Sequence, residues 1–276
     1  QAMDGVGGVK AAANAAGRML SMRLQAIADL VPPGARVADI GSDHALIPAW
    51  LVSAGKSPCA VAGEVRDGPL KASAARIEAD GLADLVAVRK GDGLAVVAPG
   101  EVDCVVIAGM GGALIASILE AGAAAGKLEG VRTLVLQPNV GEDLVRRWLL
   151  DKGWYLAAER IVEEDGRWYE ILAAQRVPDA DGLNSALYNA SFLKLDLPAE
   201  RKKELLLRMG PWLLRQPDER LAGKWRSELE KLAFISRQIE RSDSPDAARR
   251  RQEVLEEIKL IGEVMACLRA DNSSSS

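Results

Sequence analysis

Between residues 36 and 150, short apolar runs alternate with longer mixed segments, and that alternation leaves few folds open. The runs "RVADIG" (36–41), "CAVAGEV" (59–65), "LVAVRKGDG" (85–93), "DCVVIAG" (103–109) and "TLVLQPN" (133–139) read as buried strands. The segments between them read as helices: "PAWLVSAG" opening at Pro48, "GPLKASAARIEADG" opening at Pro69 and stopping at Gly81, "ALIASILEAG", and "GEDLVRRWLLDKG". Strands and helices in strict alternation imply a parallel sheet covered on both faces, joined by right-handed crossovers. Ahead of them, Leu20, Leu24, Ile27 and Val31 fall at helical spacing, and "PPG" (32–34) ends that leading helix.

Two further runs, "WYLAAERIVEE" and "RWYEILAAQRV", are separated by Asp165-Gly166, a strong hairpin signal. The expected sheet is therefore seven-stranded and mostly parallel, closed by an antiparallel hairpin, unlike the all-parallel sheet of a dinucleotide-binding fold.

After "VPDADG" the strand pattern vanishes. Leu221, Trp225, Leu229, Leu232, Ile235 and Ile239 lie close to heptad spacing, "SDSP" (242–245) interrupts, and Val254, Ile258, Ile261, Met265 and Leu268 follow in steps of four and three. Two helices joined by a short turn predict an antiparallel coiled-coil hairpin.

Residues 183–271 hold 17 Lys and Arg against 15 Asp and Glu, whereas the whole chain has a net charge of -4. That balance argues against indiscriminate attraction to polyanions, although a local basic face stays open. Cys59, Cys104 and Cys267 are too far apart for a zinc site and odd in number, which fits a reducing cytoplasm and no metal. No run has the ~18 apolar residues of a membrane span. The small-residue start (1–17) and the serine-rich end (272–276) are expected to be disordered.

Ligands of open α/β sheets bind beyond the carboxyl ends of the strands. The turn "GSDHAL" (41–46) has Gly41 where the backbone must come close, but it lacks the later glycines of a pyrophosphate cradle, and Asp43 would repel a phosphate. An acidic turn suits a cationic ligand, and S-adenosylmethionine carries a sulfonium and an ammonium with no phosphate. Asp39, inside the end of the first strand, is placed as in methyltransferases generally. Glu64 ends the second strand, where a carboxylate can accept from two ribose hydroxyls. Asp92 ends the third between Gly91 and Gly93, where it can accept from an adenine amino group. Each acid alone could equally be a cap or turn former. The glycines of "IAGMGG" (107–112) either allow close helix packing or leave room for a flat ring. Asn139, fixed at the rim by Pro138, either reads a base edge or caps the next helix.

Taken together, "LSMRL", "ADIGSDHALIP", "GEVRDGPL", "GDGL", "IAGMGG", "LVLQPN" and "WYEIL" resemble, in order and spacing, the bacterial tRNA (adenine-22-N1)-methyltransferase family from about Leu20 to Gln175. The resemblance extends to the helical C-terminal region. It implies a class I (Rossmann-like) methyltransferase domain over 18–178 and a coiled-coil domain over 183–271. The implied activity is S-adenosyl-L-methionine-dependent methylation of N1 of an adenine in the D-arm region of tRNA. By the same resemblance, Gly41, Ser42, Asp43, His44, Glu64, Asp92, Gly93, Ala108 and Gly109 contact the cofactor, with Arg23 near its methionine carboxylate. Leu46 departs from the aromatic residue expected there.

Adenine N1 has an in-plane lone pair, so no base is needed to create the nucleophile, and positioning and charge stabilisation should dominate. Asp43 and Asn139 are the candidates for that work, one of them accepting from the exocyclic amino group; His44 holds local backbone or touches ligand. Lys202, Lys203, Arg208, Arg249, Arg250 and Arg251 are candidate phosphate contacts. The competing readings are methylation of another RNA or a small molecule, and a non-catalytic tRNA-binding protein.

Overall fold

The computed structural model describes residues 19–274; the leader expected over 1–17 and the last two residues of the expected tail lie outside them. A helix α1 (Met22–Leu30), capped by the Ser21 hydroxyl on the Leu24 amide at 3.3 Å, precedes strand β1 (Val37–Ile40). The alternation continues as α2 (Leu46–Ser53), β2 (Ala60–Glu64), α3 (Asp67–Ala79), β3 (Val86–Lys90), β4 (Cys104–Met110), α4 (Gly112–Ala124), β5 (Thr133–Pro138) and α5 (Glu142–Asp151). Strands β6 (Tyr155–Glu164) and β7 (Arg167–Gln175) form the hairpin. Asp165 and Gly166 both have positive φ, 51° and 73°, the twist that a two-residue hairpin turn requires.

The seven strands run in the order β3-β2-β1-β4-β5-β7-β6, with β7 antiparallel to both neighbours and the remaining pairs parallel. Strand order reverses between β1 and β4, so the turns after those strands flank the crevice where an open α/β sheet binds ligands. Two helix starts differ from expectation: α2 and α3 each open two residues before their proline. Pro48 and Pro69 thus sit third in their helices, within the first turn, where no intrahelical partner awaits an N–H.

Beyond β7 lie helices α6 (Ala180–Leu187), α7 (Ala199–Met209) and α8 (Pro211–Arg215), which the hydrophobic pattern does not announce. They precede the long pair α9 (Glu219–Glu240) and α10 (Ala247–Ser274), which pack against each other. Helix α10 runs through the first three residues of the expected tail. On α9 the buried seam includes Ser236, at 5% exposure, whereas Ile235 is 44% exposed. Steps of four, three, four and three from Trp225 reach Leu229, Leu232, Ser236 and Ile239, so Ile235 falls outside the stripe.

The helical segment shares a continuous core with one face of the sheet: Leu205, Leu206, Leu207, Trp225, Ile261 and Val264 cluster with Leu149, Leu156 and Leu172. A buried ionic network crosses the same junction. Arg146 of α5, fully buried, donates from Nε to Glu159 at 2.6 Å, from Nη1 to the Leu207 carbonyl at 3.0 Å, and from Nη2 to Glu170. Lys224 of α9 reaches Glu142 at 3.1 Å and also Glu170. Glu159 in turn accepts from the Trp212 amide at 3.0 Å.

Candidate functional site

A cavity of about 370 Å³ opens at the carboxyl ends of β1, β2 and β4. It gathers Arg23, Asp39, Gly41, Ser42, Asp43, His44, Glu64, Ala108 and Gly109, residues spread across 87 positions of the chain. Its size lies within the range of small-molecule sites.

The turn after β1 forms one wall, and its backbone is forced into shape. Gly41 has φ 70°, and a Cβ there would strike the Met110 methyl group. His44 and Ala45 also have positive φ, 50° and 52°, a conformation that side-chain-bearing residues rarely adopt and that concentrates at functional sites. The His44 side chain is half exposed, with Nε2 3.6 Å from the Asp43 carboxylate. Asp43 itself is exposed.

Asp39 lies beneath this turn, 4% exposed, accepting from the Ser42 hydroxyl at 2.7 Å. Burial pushes its carboxyl up to about 7, and the nearby Asp43 charge acts the same way; the Ser42 bond and Arg23 oppose them. Glu64, 6% exposed, accepts from the Arg66 amide at 3.0 Å and from Arg66 Nε at 3.3 Å, both on Oε1.

Arg23 enters the cavity from α1 and is fixed from several sides. Its amide donates to Glu164 Oε1 at 3.0 Å, its guanidinium stands 5.3 Å from the centre of the Tyr169 ring, and Nη1 donates to Gln137 Oε1 at 2.6 Å. Gln137, fully buried at the end of β5, then donates from Nε2 to Asn139 Oδ1 at 3.0 Å. The polarity of this chain follows from chemistry: guanidinium has no acceptor, so the Gln137 oxygen must face Arg23 and its amide nitrogen must face Asn139. Neither Gln137 nor Glu164 carries a sequence signal of its own, because their roles depend on strands far apart in the chain meeting at one edge.

Three expected site residues lie outside the cavity lining. Asp92, exposed, and Gly93, at φ 55°, begin a 3-10 turn (Gly93–Val96) after β3, tied to the site by the Gly91 amide on the Glu64 carbonyl at 3.1 Å. Asn139 lines a neighbouring cleft of about 610 Å³ between the start of β7 and α9. Asp43 and Asn139 therefore flank the β4 end from opposite sides, following β1 and β5 respectively. Asn139 does not cap α5; Gly141 holds that position at φ 71°.

The glycines of "IAGMGG" divide between the two alternatives. Ala108 and Gly109 line the cavity, whereas a Cβ on Gly112 would collide with the Gly141 carbonyl, so Gly112 serves backbone packing between the β4 and β5 turns. Of the candidate phosphate contacts, Lys202 is bonded to the Leu193 carbonyl at 2.9 Å. Arg208 pairs with Glu257 at 2.9 Å, Arg249 with Glu253 at 3.1 Å, and Arg251 with Glu240 at 3.6 Å.

Comparison with known proteins agrees with this geometry. A methyltransferase-domain family model matches residues 20–172. The chain is 39% identical over 247 residues to the tRNA (adenine(22)-N(1))-methyltransferase of Bacillus subtilis (strain 168), covering 89% of this chain and 97% of that one. The crystal structure of the B. subtilis M1A22 tRNA methyltransferase TrmK superimposes with a TM-score of 0.75 at 39% identity, over 89% of this chain and 98% of that chain. Streptococcus pneumoniae Sp1610, a putative tRNA (m1A22) methyltransferase solved in complex with S-adenosyl-L-methionine, gives 0.72 at 38% identity, over 89% and 99%. With the seven-stranded sheet, the acid-lined cavity and this likeness along nearly its whole length, the chain belongs to the tRNA (adenine(22)-N(1))-methyltransferase family.

Proposed function

We propose that this chain transfers a methyl group from S-adenosyl-L-methionine to N1 of adenine 22 in tRNA. The observation that carries the reading is the convergence of Arg23, Asp39, Asp43 and Glu64 on one cavity at the strand-order reversal. This donor set fits the cofactor: acids for its positive charges and ribose hydroxyls, a guanidinium for its carboxylate, and no phosphate cradle. When bound, the cofactor supplies an electrophilic methyl group.

The residues proposed to hold it are Arg23 at the carboxylate, Gly41, Ser42, Asp43 and His44 along the strained turn, Glu64 at the ribose, Asp92 and Gly93 at the adenine, and Ala108 and Gly109 at the end of β4 beside Arg23. Asn139 is proposed to read the target base. Its Oδ1 keeps a second lone pair beside the Gln137 bond, and its Nδ2 is a donor, which together match the N6 amino group and N7 of an adenine and leave N1 free. Asp43, negative and exposed, stabilises the positive charge that develops on the base as N1 is alkylated. Because N1 lies on the pairing edge, the adenine has to leave any duplex first, at a cost of a few kcal/mol.

Residues 18–178 are proposed to carry the transfer and residues 183–271 to hold the RNA. No helix among the described residues is long and apolar enough to cross a membrane, and Cys59, Cys104 and Cys267 are free thiols. We infer a cytoplasmic setting, where tRNA is modified. Mass spectrometry of nucleosides from tRNA incubated with protein and cofactor tests the proposal: 1-methyladenosine should accumulate, and should vanish when adenine 22 is replaced by guanine. Methylation elsewhere, or none, would overturn it.

A further inference from the structure

We propose that the cleft between the start of β7 and α9 seats an unpaired nucleobase flanking the methylated adenine, with Trp168 as its stacking platform and Arg167 and Arg226 as phosphate contacts. The inference rests on the proposed tRNA methylation and adds a second point of RNA recognition to it.

Four observations converge here. The cleft holds about 610 Å³ and adjoins the first cavity, since Asn139 and Tyr169 line it with Trp168, and Tyr169 faces the Arg23 guanidinium at 5.3 Å. Trp168 is half-buried and shared with an adjoining recess lined by Gly223 and Arg226. A Cβ at Gly223 would stand 2.6 Å from the Trp168 ring, so a glycine at the fifth position of α9, a weak helix former, is what lets the indole lie against that helix. Arg167 and Arg226 are both exposed and have no ion pair among the described residues, in contrast to Arg208, Arg249 and Arg251.

A braced indole with two uncommitted guanidiniums fits a single strand better than a duplex. Every base offers a face to stack, and the arginines offer charge to the backbone that connects the bases. A base already splayed out beside the target would meet this platform first, because RNA recognition favours unstacked nucleotides over the deep groove of a helix.

The test is fluorescence anisotropy of labelled, unmodified tRNA on the full-length protein, with cofactor affinity measured separately by calorimetry. Trp168→Ala should weaken tRNA binding about 5- to 150-fold, the factor that stacking of one base confers, and Trp168→Phe should restore most of it. Cofactor affinity should not change. Should Trp168→Ala disturb the seat of α9, the surface variant Arg167→Gln/Arg226→Gln carries the test. It should flatten the salt dependence of log Kd by about 0.7 per lost contact. Unchanged tRNA affinity in Trp168→Ala, or an unchanged salt slope in the double variant, overturns the cleft proposal while wild-type methylation stands. Absence of wild-type methylation, by contrast, defeats the functional reading itself.

Discussion

Arg23 Nη1 donates to Gln137 Oε1 at 2.6 Å, and this bond fixes which way Asn139 points. Through Gln137 Nε2, a residue of the proposed cofactor cavity sets the orientation of a residue at the neighbouring cleft, so the two halves of the proposed reaction are wired together by a buried amide.

Asn139→Asp removes the Nδ2 donor. It should lower kcat/KM for tRNA about 5- to 150-fold, the worth of a bidentate adenine contact of about 1–3 kcal/mol, while cofactor affinity stays within about twofold. Gln137→Met should lose activity by freeing the Asn139 amide to turn. A double-mutant cycle read in single-turnover methyl transfer should show coupling of about 0.5–3 kcal/mol between positions 137 and 139. Strict additivity would sink the relay.

Asp39 links pH to both stability and ligand binding. Its folded-state value of about 7 exceeds its ordinary 3.8, so the folded chain holds a proton that the unfolded chain has released between those values. This group therefore makes stability fall as pH rises from about 4 to about 7. A cation bound nearby favours the ionised form, so cofactor binding at pH 6 should expel a proton, and affinity should climb with pH until about 7. Calorimetry at pH 6 in two buffers of different ionisation enthalpy checks this; identical heats would refute it, and Asp39→Asn should abolish the difference.

Gly41→Ala places a side chain at φ 70° and against Met110. The left-handed conformation alone costs about 1–2 kcal/mol. Urea unfolding should show a loss of at least that size, accompanied by weaker cofactor binding because the strained turn shifts. A fully stable variant with wild-type affinity would mean that the turn relaxes freely.

Arg146→Met breaks the buried network at its centre. Removing one partner of a buried ion pair typically costs about 3–5 kcal/mol, since the remaining charges stay in low dielectric. The urea midpoint should drop accordingly, and a loss below about 1 kcal/mol would show that Glu159 and Glu170 are satisfied by Trp212 and Lys224 without it.

Much of the fold is legible in the chain because its strands are short, apolar and punctuated by glycine, proline and Asp165-Gly166. The acids at successive strand ends are legible for the same reason: strand ends are where the pattern changes. What resists reading depends on distant pairing. Gln137 and Glu164 become site neighbours only once β5 and the β6–β7 hairpin meet α1. Helices α6, α7 and α8 bury Leu187, Leu205 and Leu214 against the sheet domain, so their pattern has no meaning without that surface. Ile235 misleads because spacing alone does not choose between it and Ser236, whereas the rotation of α9 set by Trp225 does. The cations selected by clustering along α7 and α10 turn out mostly to be bonded within the protein.

The shared core and the Arg146–Lys224 network also bear on how an RNA arm would be handled. Because these contacts tie the base of α9 to the sheet among the described residues, the span from the α9–α10 pair to the strained turn at Gly41 should behave as a fixed ruler. Whatever bending or unstacking brings an adenine to that turn then falls on the RNA. Substrate choice becomes a matter of which arms can deform to the required length, and truncating the helical region would expose Leu149 and Leu156 rather than yield a working half.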